Sequence, residues 1–224
     1  MQRVRQTSWI AFVKLQAGSG ITARVGKMQV LFATGNKHKV SEASEALSHL
    51  GYEVEQLLIQ GQAPKLIEPQ AEGIEEVAIS KIKQARELVF GSELEDSIII
   101  AEDSGLFIDS LHGFPGPYSS YVERTIGLSG ILQLIPSQSG REAEFRAAAA
   151  VYIGGEILTV TGVCRGTISR EISGEMGFGY DPIFIPDDGD GRTCGEMSST
   201  EKSSISHRGR ALKAVSELLN PPSK

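Results

Sequence analysis

The chain of 224 residues is long enough to form one large domain, or one domain of two lobes, around a substantial core. Its composition, 40% hydrophobic and 22% charged, is ordinary for a globular protein, and no apolar run approaches the length of a membrane span. We therefore expect no membrane as partner. A formal net charge of −6 argues against broad neutralisation of nucleic-acid phosphates, so we expect no nucleic acid as partner either. A local cluster of Lys and Arg can still bind a small anion on an acidic protein.

Two cysteines occur, Cys164 and Cys194, and they lack the CxxC spacing of a zinc site. Two cysteines do not make a disulfide framework, and disulfides are rare in reducing compartments. We therefore expect an intracellular, cytoplasmic protein.

The first 27 residues carry basic side chains and no acidic one, although the rest of the chain is acidic. Their apolar stretch is too short for a signal peptide, and an amphipathic transit peptide is the alternative. Because Met28 opens a convincing strand, we interpret residues 1–27 as a basic leader outside the core. A single domain is predicted over residues 28–224.

In the first half of the chain, apolar runs rich in strand formers alternate with helical patterns. A first helix carries apolar residues at helical spacing from Val40 to Leu50 and stops at Gly51, and a second spans about 74–90. The predicted strands lie at 28–34, 52–59 and 97–101.

In the second half, a helix is predicted across 121–134, and two long strands at 144–153 and 156–170 are joined through Gly154-Gly155 as a hairpin. A short strand, a helical turn and a final helix with Ser206 as its N-cap follow. Alternating helices and strands with a later hairpin predict an α/β protein with a mixed sheet and a cleft between two lobes.

The turn "TGNKHK" places lysines in the first turn of a helix, where free N–H groups and the positive helix end favour an anion. Basic residues there are unfavourable unless an anion pairs with them, so the turn indicates a phosphate site. An ordinary strand–turn–helix with solvated lysines is the alternative. The candidate residues are Thr34, Gly35, Asn36, Lys37, His38 and Lys39.

Glu102 and Asp103 follow the apolar strand "SIIIA", and Glu68 lies upstream. Carboxylates near a phosphate site repel the ligand unless a divalent cation bridges them, and Mg²⁺ prefers a few carboxylates with waters and phosphate oxygens. The pattern predicts a Mg²⁺ site for phosphoryl chemistry. The alternative is that Glu102 and Asp103 cap a loop after the strand.

Two later motifs offer groups for a flat base. In "GFGYDPIF" the glycines allow close approach of the backbone, Phe178 and Tyr180 offer rings, and Asp181 offers an acceptor. In "SHRGR" the residues His207 and Arg208 stand near a helix start, with Lys202 just before. Together with the phosphate turn and the carboxylates, these motifs suit different parts of one nucleoside triphosphate.

Four motifs carry a resemblance to a known family: "FATGNKHKVSE", "AEDSGLFIDSLHGFPGPYSSYV", "GFGYDPIF" and "EKSSISHRGRALK". In order and spacing, from Met28 to about Leu219, the chain resembles the inosine triphosphate pyrophosphatase family. The resemblance implies hydrolysis of deaminated purine nucleoside triphosphates such as ITP, dITP and XTP, an elongated two-lobed mixed sheet flanked by helices, Mg²⁺, and a homodimer.

The resemblance also implies a role for each matching residue. Thr34 to Lys39 would bind the triphosphate together with Lys81, and Asp103 would accept a proton from water with Ser104 beside it. Glu68 and Asp103 would hold Mg²⁺, with Glu102 as a further candidate where many relatives have Asp. The residues implied for the base are Phe178, Gly179, Tyr180, Asp181, Lys202, His207 and Arg208.

Two other functions compete with this one. The Maf-type nucleotide pyrophosphatases share a related scaffold with another base preference, but "GFGYDPIF" and "SHRGRALK" argue against them. A nucleotide-binding module without catalysis is disfavoured because Glu68 and Asp103 accompany the phosphate turn.

Overall fold

The computed structural model describes residues 28–135 and 140–220, and in this part of the chain six strands form one mixed sheet of order β2-β1-β3-β4-β5-β6. β1 runs parallel to β2 and to β3, whereas β3, β4, β5 and β6 are antiparallel neighbours. The strands are β1 (Met28–Phe32), β2 (Tyr52–Gln56), β3 (Ile98–Ile108), β4 (Glu142–Ile153), β5 (Glu156–Ile168) and β6 (Phe184–Pro186).

Five α-helices flank the sheet within the same residues: α1 (Lys37–Ser48), α2 (Ile74–Val89), α3 (Ser119–Leu134), α4 (Ser199–Ile205) and α5 (His207–Leu219). α2 buries its apolar face against one side of the sheet, and α1 and α5 bury theirs against the other. A third apolar cluster joins α3 to the far ends of β3, β4 and β5. These clusters form two lobes on one sheet, which confirms the predicted α/β class.

β3 is longer than the sequence indicated. The strand does not end at Ala101 but continues to Ile108, because β4 pairs with it from Ile99 to Ile108. Glu102 and Asp103 therefore lie in the middle of a strand, and the alternative that they cap a loop is wrong. Asp and Gly are poor strand formers, and Glu is a weak one, so long-range pairing with β4 decides the conformation here.

Several local predictions are confirmed. The β4–β5 hairpin turns through Gly154 and Gly155, whose φ angles of 58° and 87° suit glycine. The Ser206 side chain caps α5 by accepting a hydrogen bond from the Gly209 N–H. α3 begins two residues earlier than predicted and breaks at Gly127. The predicted leader, residues 1–27, lies outside the described residues, in which no helix has the length and apolar character of a membrane span.

Candidate active site

A cavity of about 650 Å³ lies beside β3, beyond the point where β1 stops pairing with it. β1 pairs with β3 only as far as Ile100. Further along β3, the Leu106 N–H donates a hydrogen bond to the Ser119 hydroxyl at 2.8 Å. The edge of β3 between these points faces the cavity. Except for Lys37 and His38, which are exposed outside it, every predicted site residue lines the cavity: Thr34, Gly35, Asn36, Lys39, Glu68, Lys81, Glu102, Asp103, Ser104, Phe178, Gly179, Tyr180, Asp181, Lys202, His207 and Arg208.

The phosphate turn links β1 to α1 at the entrance to this cavity. Asn36 caps α1, since its side-chain oxygen accepts from the backbone N–H groups of His38 and Lys39 at 2.9 and 3.4 Å. The first turn of α1 has no acidic side chain. A side chain at Gly35 would meet no atom within 4 Å, so the turn is open to a ligand. Of the two lysines predicted here, Lys39 reaches the cavity.

Asp103 and Glu68 converge on one lysine from α2. Lys81 Nζ lies 2.7 Å from Asp103 Oδ1 and 2.6 Å from Glu68 Oε1. Burial raises the pKa of Asp103, and Lys81 only partly offsets that rise. Burial opposes protonation of Lys81, but attraction to Asp103 and hydrogen bonds to both carboxylates outweigh it and raise the pKa of Lys81. The lysine stays charged and offsets part of the negative charge of the two carboxylates.

Glu102 has a different set of partners, because adjacent residues of a strand point to opposite faces of the sheet. Its Oε2 lies 3.0 Å from Arg208 Nε on α5 and 3.2 Å from Lys39 Nζ on α1. Glu42 also holds Arg208, at 2.8 Å. Burial alone would raise the pKa of Glu102, yet Arg208 and Lys39 hold it well below its usual range. Glu102 thus remains ionised and anchors two cations.

One oxygen of each β3 carboxylate is buried without a hydrogen-bond partner: Asp103 Oδ2 and Glu102 Oε1. Buried acceptors of this kind are costly and are normally satisfied by a donor, water or ion. Asp103 Oδ2, together with the half-exposed Glu68, suits a hard cation that prefers oxygen ligands. No group of three or more His, Cys, Asp or Glu side chains among the described residues is arranged to hold a metal. A cation here would need waters or substrate oxygens as further ligands.

The other end of the cavity presents one open aromatic face. Phe178 as a residue is 44% exposed, and Lys202 Nζ and Arg208 Cζ lie 4.6 and 5.5 Å from the centroid of its ring. Asp181 Oδ2 accepts hydrogen bonds from the Phe178 N–H at 2.7 Å and from Lys202 at 2.5 Å, which fixes both residues. The Tyr180 ring is buried instead, and its hydroxyl donates to the Ser119 carbonyl. Phe178 is therefore the ring on which a base can stack.

His207 forms part of the cavity wall as a neutral ring. It is buried and stacks on Phe145, with centroids 4.8 Å apart and planes 14° apart. Burial, reinforced by Arg208, lowers the pKa of His207 well below its ordinary value. A neutral imidazole offers one donor and one acceptor.

Sequence reasoning missed several residues of the cavity wall. Lys65, Glu123, Arg124 and Phe145 line it but were not singled out. Glu123 and Arg124 directly follow the Gly/Pro-rich motif that ends at Val122, so that motif was the available signal for them. No sequence signal pointed to Phe145, because it reaches the site only through the pairing of β4 with β3 and its contact with His207.

Comparison with known proteins agrees with this geometry. Residues 30–218 match the model of the Ham1 family. Two proteins named dITP/XTP pyrophosphatase, from Pyrococcus horikoshii and Methanopyrus kandleri, are 45% and 44% identical to the chain, over 86% and 85% of it and 97% and 95% of their own lengths. The names match the family that the sequence motifs resemble.

Two solved structures match most of the chain. The Ham1 protein of Staphylococcus aureus superposes with a TM-score of 0.73 at 27% identity, covering 85% of this chain and 97% of that one. A HAM1 protein from Coxiella burnetii superposes with a TM-score of 0.75 at 30% identity, covering 87% and 100%. The resemblance seen in the motifs is thereby confirmed.

Proposed function

Because the chain belongs to the Ham1 family, we propose that it hydrolyses the deaminated purine nucleoside triphosphates ITP, dITP and XTP to the monophosphate and pyrophosphate, removing them from the nucleotide pool. One observation carries this proposal: a single cavity holds a phosphate turn, buried carboxylates beside lysines, and an open aromatic face. The name of the two relatives, dITP/XTP pyrophosphatase, supports the same reaction.

Lys39, Lys81 and the start of α1 would bind the triphosphate. Both lysines are held in the cavity by carboxylates, Lys39 by Glu102 and Lys81 by Asp103 and Glu68. The positive end of α1, whose first turn carries no acidic side chain, favours the same anion. Preorganised cations in a partly buried cavity stabilise the charge that develops on the leaving pyrophosphate.

We propose Mg²⁺ as the cofactor, held by Glu68 and Asp103. The unpartnered Asp103 Oδ2 and the all-oxygen donor set support this choice. When bound, Mg²⁺ would neutralise phosphate charge and stabilise the leaving group.

Asp103 would act as the proton acceptor for the water that attacks the α-phosphorus in line. Burial raises its pKa in the metal-free chain, and a bound Mg²⁺ would oppose that rise. Ser104, the next residue, lines the cavity and stands 3.4 Å from Arg208. The neighbouring Glu102 is ionised and engaged by two cations, which makes it a poor competitor for this role.

Selection of the base would combine stacking with donors. The base would stack on Phe178, while Lys202, His207 and Arg208 would read the purine edge near position 6. A 6-oxo group accepts from these donors, but the 6-amino group of adenine faces them donor to donor. Each buried donor left unpaired costs about 1–3 kcal/mol, so two or three such contacts discriminate well against ATP.

We further propose a homodimer, as the resemblance implied, and a cytoplasmic location, as the cysteines indicated. Cys164 and Cys194 are free and buried, which is compatible with a reducing compartment. Phe114, Tyr118 and Tyr121 expose large aromatic surface at the start of α3 that a partner copy would cover.

The test is a panel of ITP, XTP, dITP and ATP with Mg²⁺ or with EDTA, measuring pyrophosphate and orthophosphate separately. We expect pyrophosphate from the three deaminated nucleotides with Mg²⁺, a rate for ATP that is lower by roughly tenfold or more, and no turnover in EDTA. Orthophosphate as the first product would contradict the proposed cleavage. A different base preference would favour the Maf-type activity, and binding without turnover a non-catalytic module; neither is favoured by the family match.

A further inference from the structure

The stretch of chain that carries Glu68 has little structure of its own. Residues 64–71 lie between β2 and α2 and belong to no helix, strand or turn. The Glu68 side chain is 58% exposed, far more than the 9% of Asp103. Irregular exposed segments are mobile unless something ties their backbone down. To keep Glu68 beside Asp103, the backbone of this segment therefore needs a contact from another part of the protein.

Gln84 supplies such a restraint from α2. The Ile67 N–H donates to Gln84 Oε1 at 2.8 Å, and Gln84 Nε2 donates to the Ile67 carbonyl at 2.7 Å. One side-chain amide thus satisfies both backbone groups of the residue before Glu68. This reciprocal pair has the pattern of bonds that two antiparallel strands exchange. We call it the Gln84 clasp.

The clasp holds the main chain rather than a side chain. The Ile67 side chain is 74% exposed, so apolar burial does not anchor this residue. Between residues 63 and 72, all of which are described, the hydrogen bonds and ion pairs to the rest of the molecule are the clasp and the Glu68–Lys81 pair. Leu66 adds packing against the apolar core beside α2.

Gln84 also lies on the same face of α2 as Lys81. It lies three residues after Lys81, and residues three apart share one face of a helix. The same face of α2 thus supplies the lysine that contacts Glu68 and the amide that holds Ile67. Nε2 also lies 3.3 Å from the Ser80 carbonyl and hydroxyl, which keeps the amide oriented within α2.

We propose that Gln84 is a positioning residue, which through the backbone of Ile67 fixes Glu68 beside Lys81 and Asp103 in the site. This inference rests on the proposed function, because it takes Glu68 as a ligand of Mg²⁺. Because the clasp already orders the segment in the free protein, binding of metal and nucleotide does not carry that entropy cost. Residues that orient metal ligands typically change metal affinity by about 10–100-fold when they are replaced.

The test compares Gln84→Met, which keeps the length of the side chain and removes its amide, with Lys83→Met as the matched control. Lys83 is exposed on the same helix and does not line the cavity. Hydrogen exchange of the Ile67 amide is measured in the full-length protein without metal. We expect exchange over residues 63–73 to accelerate by roughly tenfold or more in Gln84→Met alone, with α2 itself unchanged. Unchanged exchange at Ile67 would overturn the proposal.

The second readout is the Mg²⁺ concentration that half-saturates pyrophosphate release from ITP. We expect it to rise by about tenfold or more in Gln84→Met, with turnover at saturating Mg²⁺ largely restored. Accelerated exchange without a change in Mg²⁺ dependence would also overturn the proposal, since Glu68 would then not depend on the clasp. If the unaltered chain released no pyrophosphate from ITP, the proposed function would be wrong. The proposed effect of Gln84 on the Mg²⁺ requirement would then be wrong as well. The exchange result would still report on the clasp separately.

Discussion

At Asp103 the carboxyl group is buried against Lys81, whereas the adjacent Glu102 faces Lys39 and Arg208 across the sheet. Burial raises the pKa of Asp103, while the pKa of Glu102 is held well below its usual range because its two cations outweigh burial. Asp103 thus pairs with one cation on one face of the sheet, and Glu102 with two cations on the other. The sequence left their roles open, since residue type alone does not tell which face of a strand meets which helix.

Asp103→Asn tests the division of roles. The amide keeps the shape of the side chain but cannot accept the proton from water, so we expect pyrophosphate release from ITP to fall by about 10²–10⁴-fold. Nucleotide binding, measured by calorimetry, should remain. Asp109→Asn is the matched control, because Asp109 is exposed and lies outside the cavity. Turnover at the unaltered rate would remove Asp103 from the mechanism.

Among the elements, α5 depends on a close approach to β5. A Cβ at Gly162 would lie 2.1 Å from the His207 carbonyl oxygen and 2.4 Å from the Ala211 N, so only glycine lets the helix pack here. This contact places the first turn of α5, and therefore His207 and Arg208, over the cavity. The cap of α5 at Ser206 was predictable from local sequence, but the requirement for Gly162 was not, because it comes from packing between distant segments.

Gly162→Ala should displace the start of α5. Overpacking costs typically about 1–3 kcal/mol, which for a domain of this size lowers Tm by roughly 2–12 °C. We expect a raised KM for ITP as well, since Arg208 moves with the helix. Thr159→Val is the control, because it alters an exposed position on the same strand. Equal Tm and KM in the two variants would contradict the packing argument.

For the whole molecule, the cavity is assembled from segments far apart in the chain: the turn at 34–39, β3, α2, the loop at 177–181 and the start of α5. The described core begins with β1 at Met28, and the family match covers residues 30–218. Together these bounds indicate that the groups proposed for catalysis all follow the basic leader.

Deleting residues 1–27 should leave ITP hydrolysis and Tm nearly unchanged. The physical reason is that every predicted site residue and the apolar clusters belong to the remaining chain. Pyrophosphate release and thermal unfolding of the shortened and full chains provide the measurement. An unfolded or inactive product would show that the domain needs the leader.

Local chemistry was enough to predict the α/β class, the hairpin, the cap of α5 and the motifs that line much of the cavity. Lys81 was named only through the family resemblance, and wall residues such as Phe145 were missed. Strand and helix periodicity, glycine turns and clustered charges are properties of short segments, so they can be recognised from the sequence alone. Three features needed the folded chain: the continuation of β3 past Ala101, the separate partners of Glu102 and Asp103, and the Gln84 clasp on Ile67. Each depends on which distant segment lies against a strand face or a loop, and that is decided by packing and pairing across the whole sheet.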